Sequence, residues 1–116
     1  MRLDHVQVAA PPGCEEAARE FFVGRLGFVE LLKPEGLAGN GGAWFAVGDA
    51  QVHVGVEPDF RPARKAHLGF DVGSVEALLV LYGRLDGGRW DTQQAGVRRF
   101  FADDPWGNRM EFFATE

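Results

Sequence analysis

The feature that most restricts this chain is a pattern written twice: strand, helix, strand, strand, strand, on either side of an irregular stretch. Leu3 to Ala9 alternates with the period of a strand, placing His5, Gln7 and Ala9 on one face and Val6 and Val8 on the other. Pro11-Pro12-Gly13 breaks it. From Cys14 to Leu26 the residues Ala17, Ala18, Phe21, Phe22 and Leu26 recur at helical steps. Glu15 and Glu16 lie at the positive end of that helix's dipole and Gly27 caps it. Phe28 to Lys33 reads as a second strand, and Pro34 to Gly42 as a glycine-rich loop. Ala43 to Val47 and Ala50 to Glu57 read as a hairpin about Gly48-Asp49. A two-residue turn there sets Val47 opposite Ala50, Phe45 opposite Val52 and Trp44 opposite His53.

Pro58 to Lys65 is irregular, and its charge differs from both flanks. Lys and Arg number 4 against 8 Asp and Glu in residues 1–58, 3 against 1 in 59–66, and 5 against 8 in 67–116. The pattern then returns. His67 to Val72 is a strand. Ser74 is placed to cap a helix through Ala77, Leu78, Leu81, Tyr82 and Leu85, which Gly87-Gly88 stops. Arg89 to Gln93, Val97 to Ala102 and Arg109 to Phe113 are strands. In the last, Arg109, Glu111 and Phe113 share a face opposite Met110 and Phe112. Two βαβββ units that cannot each close a core must pack together, so the expected fold is α+β, with a curved mixed sheet. The expected organisation is one domain, 1–116, made of halves 1–58 and 65–116.

Composition narrows the function classes. An apolar share of 46% over 116 residues suffices for a core, and no run is long and apolar enough to span a bilayer. A net charge of -5 argues against nucleic acid as a partner. Cys14 is the only cysteine, which excludes an intrachain disulfide and suits a reducing cytoplasm. Met1-Arg2-Leu3-Asp4-His5 leads directly into the first strand, so no secretory leader is expected.

Superposing the two copies of the pattern pairs His5 with His67, each early in a first strand. It also pairs His53 with Glu111, each in a last strand. The intervals are similar, 48 and 44 residues, and these positions take up all three histidines of the chain. One such side chain alone is more often a hydrogen-bonded strand residue, and Glu111 alone would be expected to pair loosely with Arg109. Together the four form a ligand set for one divalent transition metal, whether zinc, nickel, cobalt, iron or manganese. Basic residues stand near them: Arg61, Arg64 and Lys65 precede His67, Arg109 is two residues before Glu111, and Arg98 and Arg99 flank that hairpin. A metal there would act as a Lewis acid on a small, anionic, oxygen-rich molecule. Glu111 is the one carboxylate available for catalytic proton transfer. Gln7, Trp44, Arg64, Arg109 and Phe101 are the expected substrate-binding residues.

The paired units resemble the vicinal oxygen chelate superfamily of glyoxalases, bleomycin resistance proteins and extradiol dioxygenases, over essentially the whole chain. The resemblance is carried by Leu3-Asp4-His5-Val6, by Phe21 to Phe28, by Ala66-His67-Leu68-Gly69 and by Asp104 to Phe112. In metal-dependent members the ligands come from the first and fourth strands of each unit, here His5, His53, His67 and Glu111. Glyoxalase I-like members carry a carboxylate, and epimerase-like members a glutamine, where this chain has His53. His5, His67 and Glu111 remain as a two-histidine, one-carboxylate triad. The resemblance also implies a homodimer whose sites mix residues of both protomers. It implies a lyase, isomerase or transferase first. The alternatives are metal-free sequestration of an aromatic ligand by Trp44, Trp90 and Trp106, and a small metal-dependent dioxygenase.

Overall fold

The computed structural model describes residues 1–116, which divide into two compact units, Met1–Arg61 and Pro62–Glu116. Each is a βαβββ unit with a four-stranded mixed sheet, so the chain is α+β. No helix is long and apolar enough to cross a membrane.

In the first unit, β1 (His5–Ala10) runs parallel to β4 (Ala50–Val56), which pairs antiparallel with β3 (Ala43–Val47), and β3 with β2 (Val29–Leu31). The hairpin register matches the expected one at Val47↔Ala50, Phe45↔Val52 and Trp44↔His53. The expected helix over Cys14 to Leu26 is instead an α-helical turn, α1 (Glu15–Ala18), that widens into a π-helical segment over Arg19–Arg25. The wider winding lets consecutive Phe21 and Phe22 both turn inward, and both are buried. Phe22 stacks on Phe45 at 5.1 Å and Phe28 at 5.9 Å, closing the core between helix and sheet. Gly27 ends the helix at φ 78°, with its N–H donating to the Val23 carbonyl.

The stretch expected as a plain loop over Pro34 to Gly42 contains a 3₁₀ segment, Glu35–Asn40. Its exit is fixed at Gly42, whose φ is 80° and whose position leaves no room for a side chain: a Cβ would lie 2.0 Å from the Val54 carbonyl oxygen. The Gly42 N–H donates to Glu15 Oε2 at 2.6 Å, tying the segment to α1. That donation holds the Glu15 carboxyl below its ordinary pKa.

In the second unit, β5 (Leu68–Asp71) runs parallel to β8 (Arg109–Thr115), followed across the sheet by antiparallel β7 (Val97–Asp103) and β6 (Arg89–Asp91). Between β5 and β6 lies α2 (Val75–Arg84), capped as expected by Ser74, whose Oγ accepts from the Ala77 N–H at 3.1 Å. Leu78, Phe100, Met110 and Phe112 are fully buried, and Tyr82 and Phe100 meet edge to face at 5.3 Å. Strand alternation in β8 leaves Arg109, Glu111 and Phe113 on the opposite, half-buried face. The turn into β8 closes on Asp104. Its Oδ1 accepts from the Trp106 and Asn108 N–H groups at 3.0 and 2.8 Å, and its Oδ2 from Asn108 Nδ2 at 2.8 Å.

Candidate metal half-sites

Each unit brings two of the four expected ligands together on the sheet face away from its helix. In the first unit, His53 is buried and lies flat between Trp44 and His5, at 3.8 and 4.3 Å between ring centroids. Its Nε2 is 2.8 Å from Gln51 Oε1, one strand step along the same face. Burial and the nearby His5 push the His53 pKa below the ordinary value, which favours the neutral imidazole. His5 is exposed, and its Nδ1 lies 2.9 Å from Asp4 Oδ2. Those bonds to His5 and Arg2 in turn hold the Asp4 carboxyl below its usual range. A carboxylate on Nδ1 fixes the ring and leaves Nε2 outward, as is common behind ligating histidines. The two rings are only 11° from coplanar orientation, so their in-plane lone pairs run side by side rather than converging. His5 is thus poised as a ligand. His53 reaches a shared ion only by giving up its stacked pose or its Gln51 bond.

In the second unit, His67 lies just before β5, and its Nε2 is 3.3 Å from Glu111 Oε1. Its Nδ1 is 3.0 Å from the Lys65 carbonyl. With Nδ1–H donating to that carbonyl, Nε2 presents a lone pair to a carboxylate oxygen. A proton on Nε2 makes this contact a hydrogen-bonded ion pair, and in the neutral ring the same two atoms can share a cation. Arg99 Nη1 is also 3.5 Å from Glu111 Oε1, and Arg99 is anchored by Asp91, with Nη2 to Oδ2 at 2.5 Å, which raises the Arg99 pKa. Glu111 therefore does not pair loosely with Arg109. Arg109 turns away, donating from Nη2 to the Lys65 carbonyl at 2.9 Å, and its buried Nε has no partner. Phe101 packs edge to face on His67 at 5.6 Å and lies beneath Arg99 and Arg109 at 5.3 and 5.2 Å.

The remaining expected residues separate. Gln7 and Trp44 line one pocket of about 210 Å³ in the first unit, together with Lys33, Leu37, Asn40, Gly41, Gly55 and Val56. The Gln7 carboxamide lies flat over Gly55, where a Cβ would come within 2.7 Å of Nε2. Arg64 is exposed near the start of the second unit, before β5, and Lys65 serves through its carbonyl rather than its charge. Arg98 sits over the Trp90 ring at 5.5 Å, and Trp90 packs on Tyr82, on the helix side and away from Glu111. Within neither unit do three or more His, Cys, Asp or Glu side chains gather as a metal-holding group. Sequence reasoning missed Asp4, Gln51, Lys33 and the Lys65 carbonyl. Only Asp4 left a readable sign, a carboxylate adjoining a candidate ligand.

No protein-family model and no curated protein matches the chain. Among solved structures it is similar to a glyoxalase family protein from Bacillus anthracis, with 43% identity over 100% of this chain and 96% of the other and a TM-score of 0.91. It shares the fold of a lactoylglutathione lyase from Agrobacterium tumefaciens, at 16% identity, 97% and 92% coverage and a TM-score of 0.74. A fosfomycin resistance protein from Listeria monocytogenes has the same fold, at 14% identity, 100% and 94% coverage and a TM-score of 0.76.

Proposed function

This chain belongs to the glyoxalase/bleomycin resistance/dioxygenase family of the vicinal oxygen chelate superfamily, and from that premise we propose that it is a metal-dependent enzyme. The reading is a lyase, isomerase or transferase of the cytoplasm that acts on a small, anionic, oxygen-rich metabolite. His5, His67 and Glu111 would hold one divalent transition metal as a two-histidine, one-carboxylate triad, with His53 behind His5 as its stacking support and a fourth donor on rotation. Such a set suits iron, manganese, zinc, nickel or cobalt. The two half-sites would combine in a homodimer, the first unit of one protomer facing the second unit of its partner.

The observation that carries the reading is the His67–Glu111 pair. A ring nitrogen and a carboxylate oxygen 3.3 Å apart, the ring held by the Lys65 carbonyl behind it, are spaced to share one cation. The bound metal would supply Lewis-acid stabilisation of charge on a substrate oxygen. The protein does the rest. Phe101 packs on the His67 ring and Trp44 on the His53 ring, Asp4 and the Lys65 carbonyl fix ring orientation, and Glu111 Oε2, not engaged with His67, can accept a substrate proton.

Elemental analysis of untagged protein purified without chelator tests this. Stoichiometric transition metal is expected, and His67→Ala should lose it with an unchanged circular dichroism spectrum. A folded His67→Ala protein holding as much metal as the wild type would falsify the site. Metal-free wild type that still binds aromatic ligands would instead favour sequestration, and oxygen uptake with ferrous iron and a catechol would favour a dioxygenase.

A further inference from the structure

The pocket beside Trp44 differs from its counterpart in the repeat in one respect that bears on substrate. Leu31 pairs with Trp44 across β2 and β3, as Arg89 pairs with Phe101 across β6 and β7. Counting on two residues, Lys33, just past the end of β2, corresponds to Asp91 on β6. Asp91 is neutralised by Arg99, which enters from two residues before Phe101. The matching position before Trp44 is Gly42, which has no side chain and cannot acquire one. The first unit thus has a cation where the second has an anion, and no side chain at the position from which the second supplies the answering charge. Lys33 donates to the Gly41 carbonyl and has no carboxylate partner. Its ammonium lies at the wall of the pocket of about 210 Å³, half-buried, beside the Gln7 and Asn40 carboxamides and the Trp44 and Leu37 side chains.

We infer that this pocket is the subsite for the charged end of a small substrate, binding a carboxylate, phosphate or phosphonate on Lys33 while the short carbon body lies against Trp44 and Leu37. A lysine with one backbone acceptor has two further N–H donors, and carboxamides supply additional donors to an oxyanion without adding charge. The volume is below the roughly 300–1,000 Å³ of sites for drug-sized ligands and suits a charged head with a few carbons. Lys33 also places positive charge near His53, so an anion seated on it lies beside the first half-site. The inference rests on the metal-dependent reading only in calling the bound molecule a substrate; anion binding requires no metal.

The test is a titration of Trp44 emission in a Trp90→Phe, Trp106→Phe background with inorganic phosphate, methylphosphonate and acetate, at constant ionic strength set with sodium chloride. A saturable change is expected for at least one of the three. Lys33→Met should weaken it about tenfold and leave metal content unaltered, Lys33→Arg should retain it, and Asn40→Ala should weaken it less. His67→Ala should do the opposite of Lys33→Met, losing metal and keeping the anion response. Absence of saturation with all three anions, or equal affinity in Lys33→Met, overturns the subsite whatever the metal content. Loss of the metal reading with anion binding intact leaves a small-oxyanion binding protein.

Discussion

Removing the Asp104 carboxylate should cost this protein a large part of its stability, and a reciprocal exchange with Asn108 should recover some of it. Asp104 is 5% exposed and accepts three hydrogen bonds, two from backbone N–H groups of Trp106 and Asn108 and one from Asn108 Nδ2. Burial nevertheless lifts its pKa above the ordinary value, so part of the gain is spent on desolvation. Asp104→Ala strands two backbone donors at about 1–3 kcal/mol each, and some water entry brings the expected loss to about 3 kcal/mol. The unfolding entropy scales to about 0.24 kcal/mol/K for 116 residues. The midpoint should then fall about 12 °C in thermal unfolding followed by circular dichroism. Asp104→Asn keeps an acceptor for the two backbone groups but sets Nδ2 against Nδ2 of Asn108, at a cost of about 1 kcal/mol. Adding Asn108→Asp restores a donor and an acceptor with their roles exchanged. The double variant should exceed the sum of the singles by about 1 kcal/mol. An Asp104→Ala protein within about 1 kcal/mol of wild type, or strict additivity in the exchange, would refute the account of this turn.

Two further substitutions probe the charges around the half-sites. The Gly42 N–H holds the folded Glu15 carboxyl below its ordinary value of 4.5. Its contribution is therefore fully present above that value and is lost as pH falls through the lower, folded pKa. Glu15→Gln should be less stable than wild type at pH 7, with the gap closing on the acid limb of urea unfolding; a gap independent of pH would exclude the charge as its source. Arg99→Gln, which removes a cation 3.5 Å from Glu111 Oε1, should raise metal affinity about fivefold at low ionic strength in competition with a chelating dye. Weaker affinity would instead make Arg99 the group that holds Glu111 in place.

What the sequence made legible was whatever is fixed by a few neighbouring residues. The Gly48-Asp49 turn set the register that puts Trp44 on His53, Ser74 marked the start of α2, and alternation placed Arg109 and Glu111 on one face. The π-helical winding was hidden because it depends on where the sheet needs Phe21 and Phe22, and their sequence spacing also fits an α-helix. The partners of the candidate ligands were hidden for another reason. Lys65 acts through its carbonyl, a group every residue owns, and Gln51 and Arg99 matter only through the strand register beside His53 and Glu111. The position of Lys33 carries meaning only once Gly42, held against the Val54 carbonyl, is seen to offer it no answering side chain.

The two units use one register to different chemical ends. Gln51 lies opposite His5 on β4, and the ligand candidate His53 is two residues on. Carrying the β5–β8 pairing back one step from Leu68↔Met110 sets Arg109 opposite His67, with Glu111 two residues on. Trp44 faces His53 across the next strand as Phe101 faces Glu111. The aromatic neighbour is thus common to both, while the residue between the paired candidates is neutral in one and cationic in the other. That difference decides what each pair is. The two flanking rings hold His53 flat, Gln51 takes its Nε2, and burial with the nearby His5 lowers its pKa. Arg99, 3.5 Å from Glu111 Oε1, keeps charge at Glu111, while Arg109 donates to the Lys65 carbonyl. A metal centre built from one half of each kind would take its geometry from the first and its charge from the second, and this division makes Glu111, rather than His53, the ligand whose loss such a centre could least tolerate.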